Sequence, residues 1–204
     1  MRIVSLVPGA TEIVAAIGLA DALVGRTHEC DHPPAVAAVP PVTAACLALD
    51  GLDQAAIDRV VAAVGPGGLS AVDRDALAAA RPDLVITQDL CEVCGLAADD
   101  VQEAVDALPG RPALLSLAPV TLAGVIASVE VIGAAAGAEA PAAALAARLR
   151  DRLDRVRAAV AGRPVRDVVA LEWLDPPYRA GHWLPDQVEA AGGRELLGWS
   201  GVPA

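Results

Sequence analysis

The chain has 204 residues, enough for one large domain or two small ones, and with 55% hydrophobic residues it has the means to bury a core. Its net charge is -11 and all 15 basic residues are arginine, which argues against nonspecific nucleic-acid binding and excludes a P-loop lysine, a lysine Schiff base and a lysine general base. Phe is absent, and the only aromatic residues, Trp173, Tyr178, Trp183 and Trp199, all follow residue 172.

Strand and helix signals alternate from the start. Arg2–Val7 is a short β-branched run closed by Pro8-Gly9, and Thr11-Glu12 opens a helix that ends near Gly18. The leading apolar run is too short for a signal peptide, so the chain as given is expected in the cytoplasm, or in the periplasm or outside the cell if a leader has been removed. Ala22–Arg26 reads as the next strand. It runs into His28-Glu29-Cys30-Asp31-His32, a literal H-E-x-x-H. A zinc protease needs that spacing on one helix face, and Pro33-Pro34 breaks the helix, so no such site is expected.

Ala55–Val64 has helical spacing and stops at Gly65-Pro66-Gly67-Gly68, a turn without G-x-G-x-x-G spacing. Asp73–Ala80 is a helix, Leu84–Thr87 a strand, and Gln88–Gly95 a loop holding Cys91-Glu92-Val93-Cys94. Four scattered cysteines are too few for a disulfide framework. The C-x-x-C pair leaves three readings open. It is a thiol redox pair, which the flanking Asp89 and Glu92 disfavour; part of a metal site with His28 and Cys30; or two half-buried loop thiols. Asp99–Ala107 is a helix and Ala113–Leu117 a strand, and this β-α order predicts a parallel sheet covered by helices.

Pro112–Val129 is uncharged and nearly long enough to span a membrane. Pro119 interrupts it and Ser116, Thr121, Gly124 and Ser128 dilute it, so it reads as a strand and a partly buried helix, with no membrane insertion. Val120–Ala136 is helical. After Pro141, a second helix over about residues 142–161 carries Leu145, Leu149, Leu153, Val156 and Val160 on one face, the pattern of a strut roughly 30 Å long. Asp167–Glu172 reads as a strand, Trp173–Pro185 as a loop and Asp186–Ala191 as a helix. One strand and one helix do not make a core, so this tail either packs on the first block or begins a larger lobe.

Loops after parallel strands share the carboxyl edge of the sheet, where ligands bind. That brings together Pro8, Thr11 and Glu12; His28, Glu29 and Cys30; and Gln88, Asp89, Cys91 and Glu92. If the two blocks face each other, Glu172, Trp173, Tyr178, His182 and Trp183 join them in one cleft. Aromatics among Pro, Gly and Asp suit ligand contact better than a core.

Several segments carry a resemblance: Arg2-Ile-Val-Ser-Leu-Val-Pro-Gly-Ala-Thr-Glu12, Cys30-Asp31-His32-Pro33-Pro34, Arg81-Pro82-Asp83-Leu84-Val85-Ile86 and Leu171–Gly193. In order and spacing the chain resembles the cobalamin-binding, helical-backbone (class III) ABC-transporter substrate-binding proteins. The Gln88–Cys94, Glu172–Tyr178 and Gly181-His182-Trp183 segments are similar to the cobalamin subgroup.

The resemblance implies an α/β fold. Residues 1–118 form a Rossmann-like lobe, 119–163 a helical region with the linker helix, and 164–204 the start of an incomplete second α/β lobe. It implies a non-enzymatic protein that holds cobalamin or a related corrinoid between the lobes. A transition-metal ion, haem or siderophore in the same cleft is the alternative, with His28, Cys30, Cys91 and Cys94 as metal ligands; a C-x-x-C redox protein ranks below both. His28, His32 and His182 are candidate axial ligands to cobalt. Carboxylates that dock on an ABC permease map to Asp75 and Glu189.

Overall fold

Short strands rich in aliphatic residues, alternating with helices that cover one or the other face of a sheet, build the first half of the chain. The computed structural model describes residues 1–65, 67–90 and 96–203. In chain order the elements are β1 (Ile3–Ser5), α1 (Pro8–Ala16), β2 (Leu23–Arg26), β3 (Thr43–Ala45), α2 (Gln54–Val64), β4 (Ser70–Val72), α3 (Arg74–Ala80), β5 (Leu84–Gln88), α4 (Ala98–Asp106) and β6 (Ala113–Leu117). There follow α5 (Leu122–Ala135), α6 (Glu139–Val160), β7 (Arg166–Val168), β8 (Leu171–Leu174), β9 (Pro177–Arg179), α7 (Leu184–Ala190) and β10 (Gly193–Glu195).

β2, β1, β5 and β6 form one parallel sheet in that order. Successive residues point to opposite faces, so each strand feeds two cores. Ile3 and Ile86 pack with Val14 of α1, Val129 and Ile132 of α5, and Ala142 and Ala146 of α6. Val4 and Val85 pack on the other face with Leu77 of α3 and Val101 and Val105 of α4. This is the helix-covered parallel sheet that the β-α order predicts. None of the described helices is long and apolar enough to cross a membrane.

α5 and α6 form an antiparallel hairpin. Gly137, at φ 65°, ends α5 in the left-handed region, and the Ala138 N–H returns to the Gly133 carbonyl at 2.7 Å. Gly133 faces Ala142 so closely that no side chain fits between the helices. α6 begins at Glu139, ahead of the predicted start after Pro141. Pro141 sits in the first turn, where its missing N–H would have had no intrahelical partner.

Three further differences from the sequence reading matter for the site. Residues 43–72 form an excursion in which β3 and β4 pair antiparallel and frame α2. The predicted strand Asp167–Glu172 is two strands, β7 and β8, and β8 pairs antiparallel with β9 as a hairpin. Trp173 and Tyr178 therefore stand opposite each other on strands, where a loop was expected. Finally, β7 pairs in parallel with β10, so the tail holds a second small parallel sheet with α7 between its strands. α7 anchors this block: Asp186 accepts the Leu122 backbone N–H at the start of α5, at 2.8 Å. The block still exposes Val165, Leu174, Leu197 and Trp199, among other apolar side chains.

Candidate functional site

The carboxyl ends of β1, β2, β5 and β6 lie along one edge. After β1, the chain enters α1 at Pro8, whose fixed φ suits a first helical position. Thr11 is buried in α1; its hydroxyl lies 3.2 Å from the Val7 carbonyl and 3.0 Å from Cys30 Sγ. Glu12, one residue on, is exposed.

The chain leaving β2 is held by its own arginine. Arg26 donates to the Val36 and Thr27 carbonyls, both at 3.0 Å, and so clamps the loop that carries His28–His32. His28 is half-buried, Glu29, Asp31 and His32 are exposed, and Cys30 is buried. No helix spans His28–His32, in agreement with the expectation drawn from Pro33-Pro34. Thr43, at the start of β3, reaches back to this loop: its Oγ1 lies 3.0 Å from Thr27 Oγ1, 3.0 Å from the His28 N–H and 2.7 Å from His28 Nδ1. Burial pushes the Cys30 thiol pKa up, against smaller opposing effects from the Thr11 and Thr27 hydrogen bonds. Cys30 is an inward-facing, neutral thiol.

At the end of β5, Gln88 is half-buried and Asp89 exposed, the latter's N–H bonded to the Leu117 carbonyl at 3.0 Å. Cys91, Glu92 and Cys94 lie outside the described residues. Among the described residues, no three His, Cys, Asp or Glu side chains gather where they could hold a metal ion.

The second block reaches the excursion after β2 through the β8–β9 hairpin. Glu172 accepts the Gly181 N–H at 3.0 Å, which ties the end of the hairpin to its start. Trp173 Nε1 donates to the Asp175 carbonyl at 3.0 Å, and the His182 and Trp183 rings lie 5.7 Å apart at 40°. Tyr178, 45% exposed, donates its hydroxyl to Asp58 of α2 at 2.6 Å. That hydrogen bond and the Asp58 charge hold the Tyr178 pKa above its ordinary value. It joins residues 120 apart in sequence and brings the aromatic hairpin against the excursion that follows β2.

Asp58, Thr27 and Thr43 were not among the predicted site residues, and nothing in their sequence neighbourhoods marks them. Trp199 has the Arg179 guanidinium 4.7 Å from its ring centre. His182 stands at φ 51°, and its Nε2 is enclosed without a hydrogen-bond partner among the described residues, as is Arg179 Nη1.

A groove of about 760 Å³ lies elsewhere, between α5, α6 and α7, with Ile126, Leu153, Arg157 and Asp186 on its walls. Glu189 lines it too, exposed on α7, and Asp75 is exposed in the first turn of α3. The structure thus places the described predicted residues after β1, β2 and β5 along one edge, ties Tyr178 to α2 of the excursion that follows β2, and leaves Glu189 on a separate surface.

A family profile described as periplasmic binding protein matches residues 3–194. Among solved structures the chain is similar to the periplasmic vitamin B12 binding protein BtuF of Vibrio cholerae, at 20% identity and a TM-score of 0.69, over 99% of this chain and 68% of that one. It is also similar to a periplasmic heme binding protein from Pseudomonas aeruginosa, at 20% identity and TM-score 0.67, over 100% and 65% of the two chains. A third is a possible iron-binding (periplasmic solute-binding) protein from Staphylococcus epidermidis, at 18% identity and TM-score 0.70, over 95% and 66%. The chain spans about two thirds of the length of these structures. At such identities the likeness is one of fold. No curated protein matches the chain.

Proposed function

The chain belongs to the periplasmic binding protein family, and on that premise we propose that it binds a corrinoid, without chemistry, between the carboxyl edge of the four-stranded sheet and the β8–β9 hairpin. The observation that supports this reading is the Tyr178–Asp58 hydrogen bond, which holds the aromatic hairpin against the excursion whose first strand, through Thr43, braces the His28 loop. In this reading residues 1–118 are one lobe, 119–163 the helical connection and 164–204 the start of the facing lobe.

A corrin is a broad, mostly apolar disc fringed with amides, and its binder needs flat contact area and peripheral hydrogen-bonding groups. Trp173, Tyr178 and Trp183 supply the flat surfaces. Glu29, Gln88, Asp89 and Glu172 supply polar groups at the rim, with Pro8, Thr11 and Glu12 forming the wall at the start of α1. The protein delivers its ligand to an ABC permease, which it meets through Asp75 and Glu189.

The similar structures include proteins described as binding vitamin B12, heme and possibly iron, so the test sets these ligands against one another. Cyanocobalamin, hemin and a ferric siderophore are titrated separately and followed by visible absorption. Cyanocobalamin binding is expected to be the tightest. Truncating Trp173 or Trp183 to alanine should weaken it about tenfold or more, the loss of one buried aromatic contact. Tighter binding of hemin or the siderophore overturns the corrinoid assignment. No binding of any of the three overturns the reading as a whole.

A further inference from the structure

The hydroxyl pair beside His28 determines which ring nitrogen carries the proton. Thr27 and Thr43 are both 4% exposed, so their hydroxyl protons need partners inside the protein. Thr43 Oγ1 is approached by three groups: the His28 backbone N–H, Thr27 Oγ1 and His28 Nδ1. A hydroxyl has one proton to give and two lone pairs to accept with. The backbone N–H only donates, and it takes one lone pair. One lone pair and one proton remain, to be divided between Thr27 and Nδ1.

Thr27 settles the division. Besides Thr43, its oxygen has one neighbour among the described residues, the Glu29 N–H at 3.5 Å, which is also a donor. Among the described residues the Thr27 proton therefore has one acceptor, Thr43 Oγ1. The Thr43 proton is then left for Nδ1, which accepts it. The reverse arrangement strands the buried Thr27 proton, a penalty equivalent to about ten- to a hundredfold in the tautomer ratio. A neutral ring that accepts at Nδ1 carries its hydrogen on Nε2. Nε2 has no partner among the described residues and is not one of the enclosed polar atoms.

We infer that His28 presents an Nε2–H donor at the ligand edge, and that it selects for a hydrogen-bond acceptor on the ligand's rim, an amide carbonyl or a carboxylate, in place of ligating a metal. A protonated ring nitrogen has no lone pair for cobalt or iron. The polarity is also opposite to that of metal-ligating histidines, whose second nitrogen donates to its support. Thr27 and Thr43 are the positioning residues that set this polarity. The inference rests on the reading of this edge as the ligand site, but its first test does not need a ligand.

The tautomer is read in the ligand-free chain by long-range proton–nitrogen NMR correlation, at about pH 8, where an ordinary histidine is neutral. The expected result is an unprotonated Nδ1 and a protonated Nε2. In Thr27→Val the Nδ1–H tautomer should rise to a measurable fraction, and in Thr27→Ser it should not. A wild-type ring protonated on Nδ1 overturns the inference even if the variants fail to fold. The second test uses cyanocobalamin and hemin. Affinity should fall about tenfold in His28→Leu, the loss of one buried hydrogen bond, while the bound hemin absorption band stays in place. A hemin band that shifts on loss of the imidazole shows axial ligation and overturns the inference while leaving the ligand site intact. Failure of every ligand to bind, with the Nε2–H tautomer observed, instead overturns the proposed function.

Discussion

Gly133 is the position at which one methyl group should measure how tightly the α5–α6 hairpin is packed. On helix propensity alone, Gly133→Ala in the interior of α5 stabilises the chain by about 0.8–1 kcal/mol. The structure opposes that gain. A Cβ built on Gly133 lies less than 3.0 Å from the Ala142 methyl and 3.1 Å from the Ala138 carbonyl oxygen. Carbon atoms prefer about 3.5–4.0 Å, so the helices must part by at least roughly 0.5–1 Å. Neither obstacle can rotate away, because one is a Cβ and the other is backbone. Ala142 is fully buried against the sheet core, so separation also loosens the contacts around Ile132 and Ala146.

Overpacking of this kind costs about 1–3 kcal/mol. With separation forced at a backbone-to-backbone approach, the upper half of that range applies, and the net change is a loss of about 1–2 kcal/mol. For a chain of this size that is a fall in melting temperature of about 2–8 °C. Urea unfolding followed by circular dichroism measures it. Adding Ala142→Gly to Gly133→Ala removes the obstructing methyl, and the pair should show a favourable coupling of about 1 kcal/mol despite the second glycine. A Gly133→Ala chain more stable than wild type would show that the helices yield freely, and the argument from close approach would fail.

Other outcomes follow from single contacts. Iodoacetamide followed by mass mapping should label exposed Cys46 readily and leave Cys30 unmodified until the chain unfolds; early labelling of Cys30 refutes its burial against Thr11. Asp186→Ala should lower stability by about 1 kcal/mol, since it removes the carboxylate that accepts the Leu122 N–H at the start of α5; an unchanged urea midpoint would show that Thr121, whose hydroxyl accepts the Gly124 N–H at 3.0 Å, caps that helix alone. Burial works to raise the Glu195 pKa and is the largest single effect on it, but the N–H groups of Leu197, Ala170, Gly198 and Leu196 together hold it below the ordinary value. The stabilisation from a depressed carboxylate is complete above the ordinary carboxylate range and lost as pH falls through the folded-state value. Wild type should therefore exceed Glu195→Gln near pH 7 by only a few tenths of a kcal/mol, because solvent screens this carboxylate, and the gap should narrow as pH falls through the carboxylate range; a gap that does not change with pH refutes this.

The parts of the fold legible in the sequence are those in which one physical signal dominates. β1 and β5 are aliphatic runs bounded by Pro8-Gly9 and by Arg81-Pro82-Asp83, and α6 repeats its leucines at helical spacing. The elements missed have no such signal. β3, β4 and β10 are three residues each, too short to show alternation, and exist because a neighbouring backbone is there to pair with. The β8–β9 hairpin hides behind Asp175-Pro176-Pro177, which reads as loop. At the site, the glutamate, histidine and aromatic positions are named from the sequence because their chemistry draws attention in any context. Thr43 and Asp58 matter only through residues 15 and 120 positions away, and no local pattern encodes such partnerships.

The aromatic residues show how composition and site are connected. A core without aromatics has only branched aliphatics and alanine to fill it, and it reaches interior density by bringing backbones close together, as Gly133, Ala142 and Ala146 do between α5 and α6. That leaves the aromatic side chains free of any duty in the main core, and none of the four is buried. Trp173 and Tyr178 face each other across a two-stranded hairpin, Trp183 packs beside His182, and Trp199 lies beneath Arg179. A large half-exposed ring held in place by a hydrogen bond, as Trp173 is by Asp175 and Tyr178 by Asp58, keeps its apolar face available while losing little freedom on binding. The restraint comes from polar atoms at the ring edges, so on the proposed reading the faces remain for a flat ligand and the hairpin meets it pre-organised.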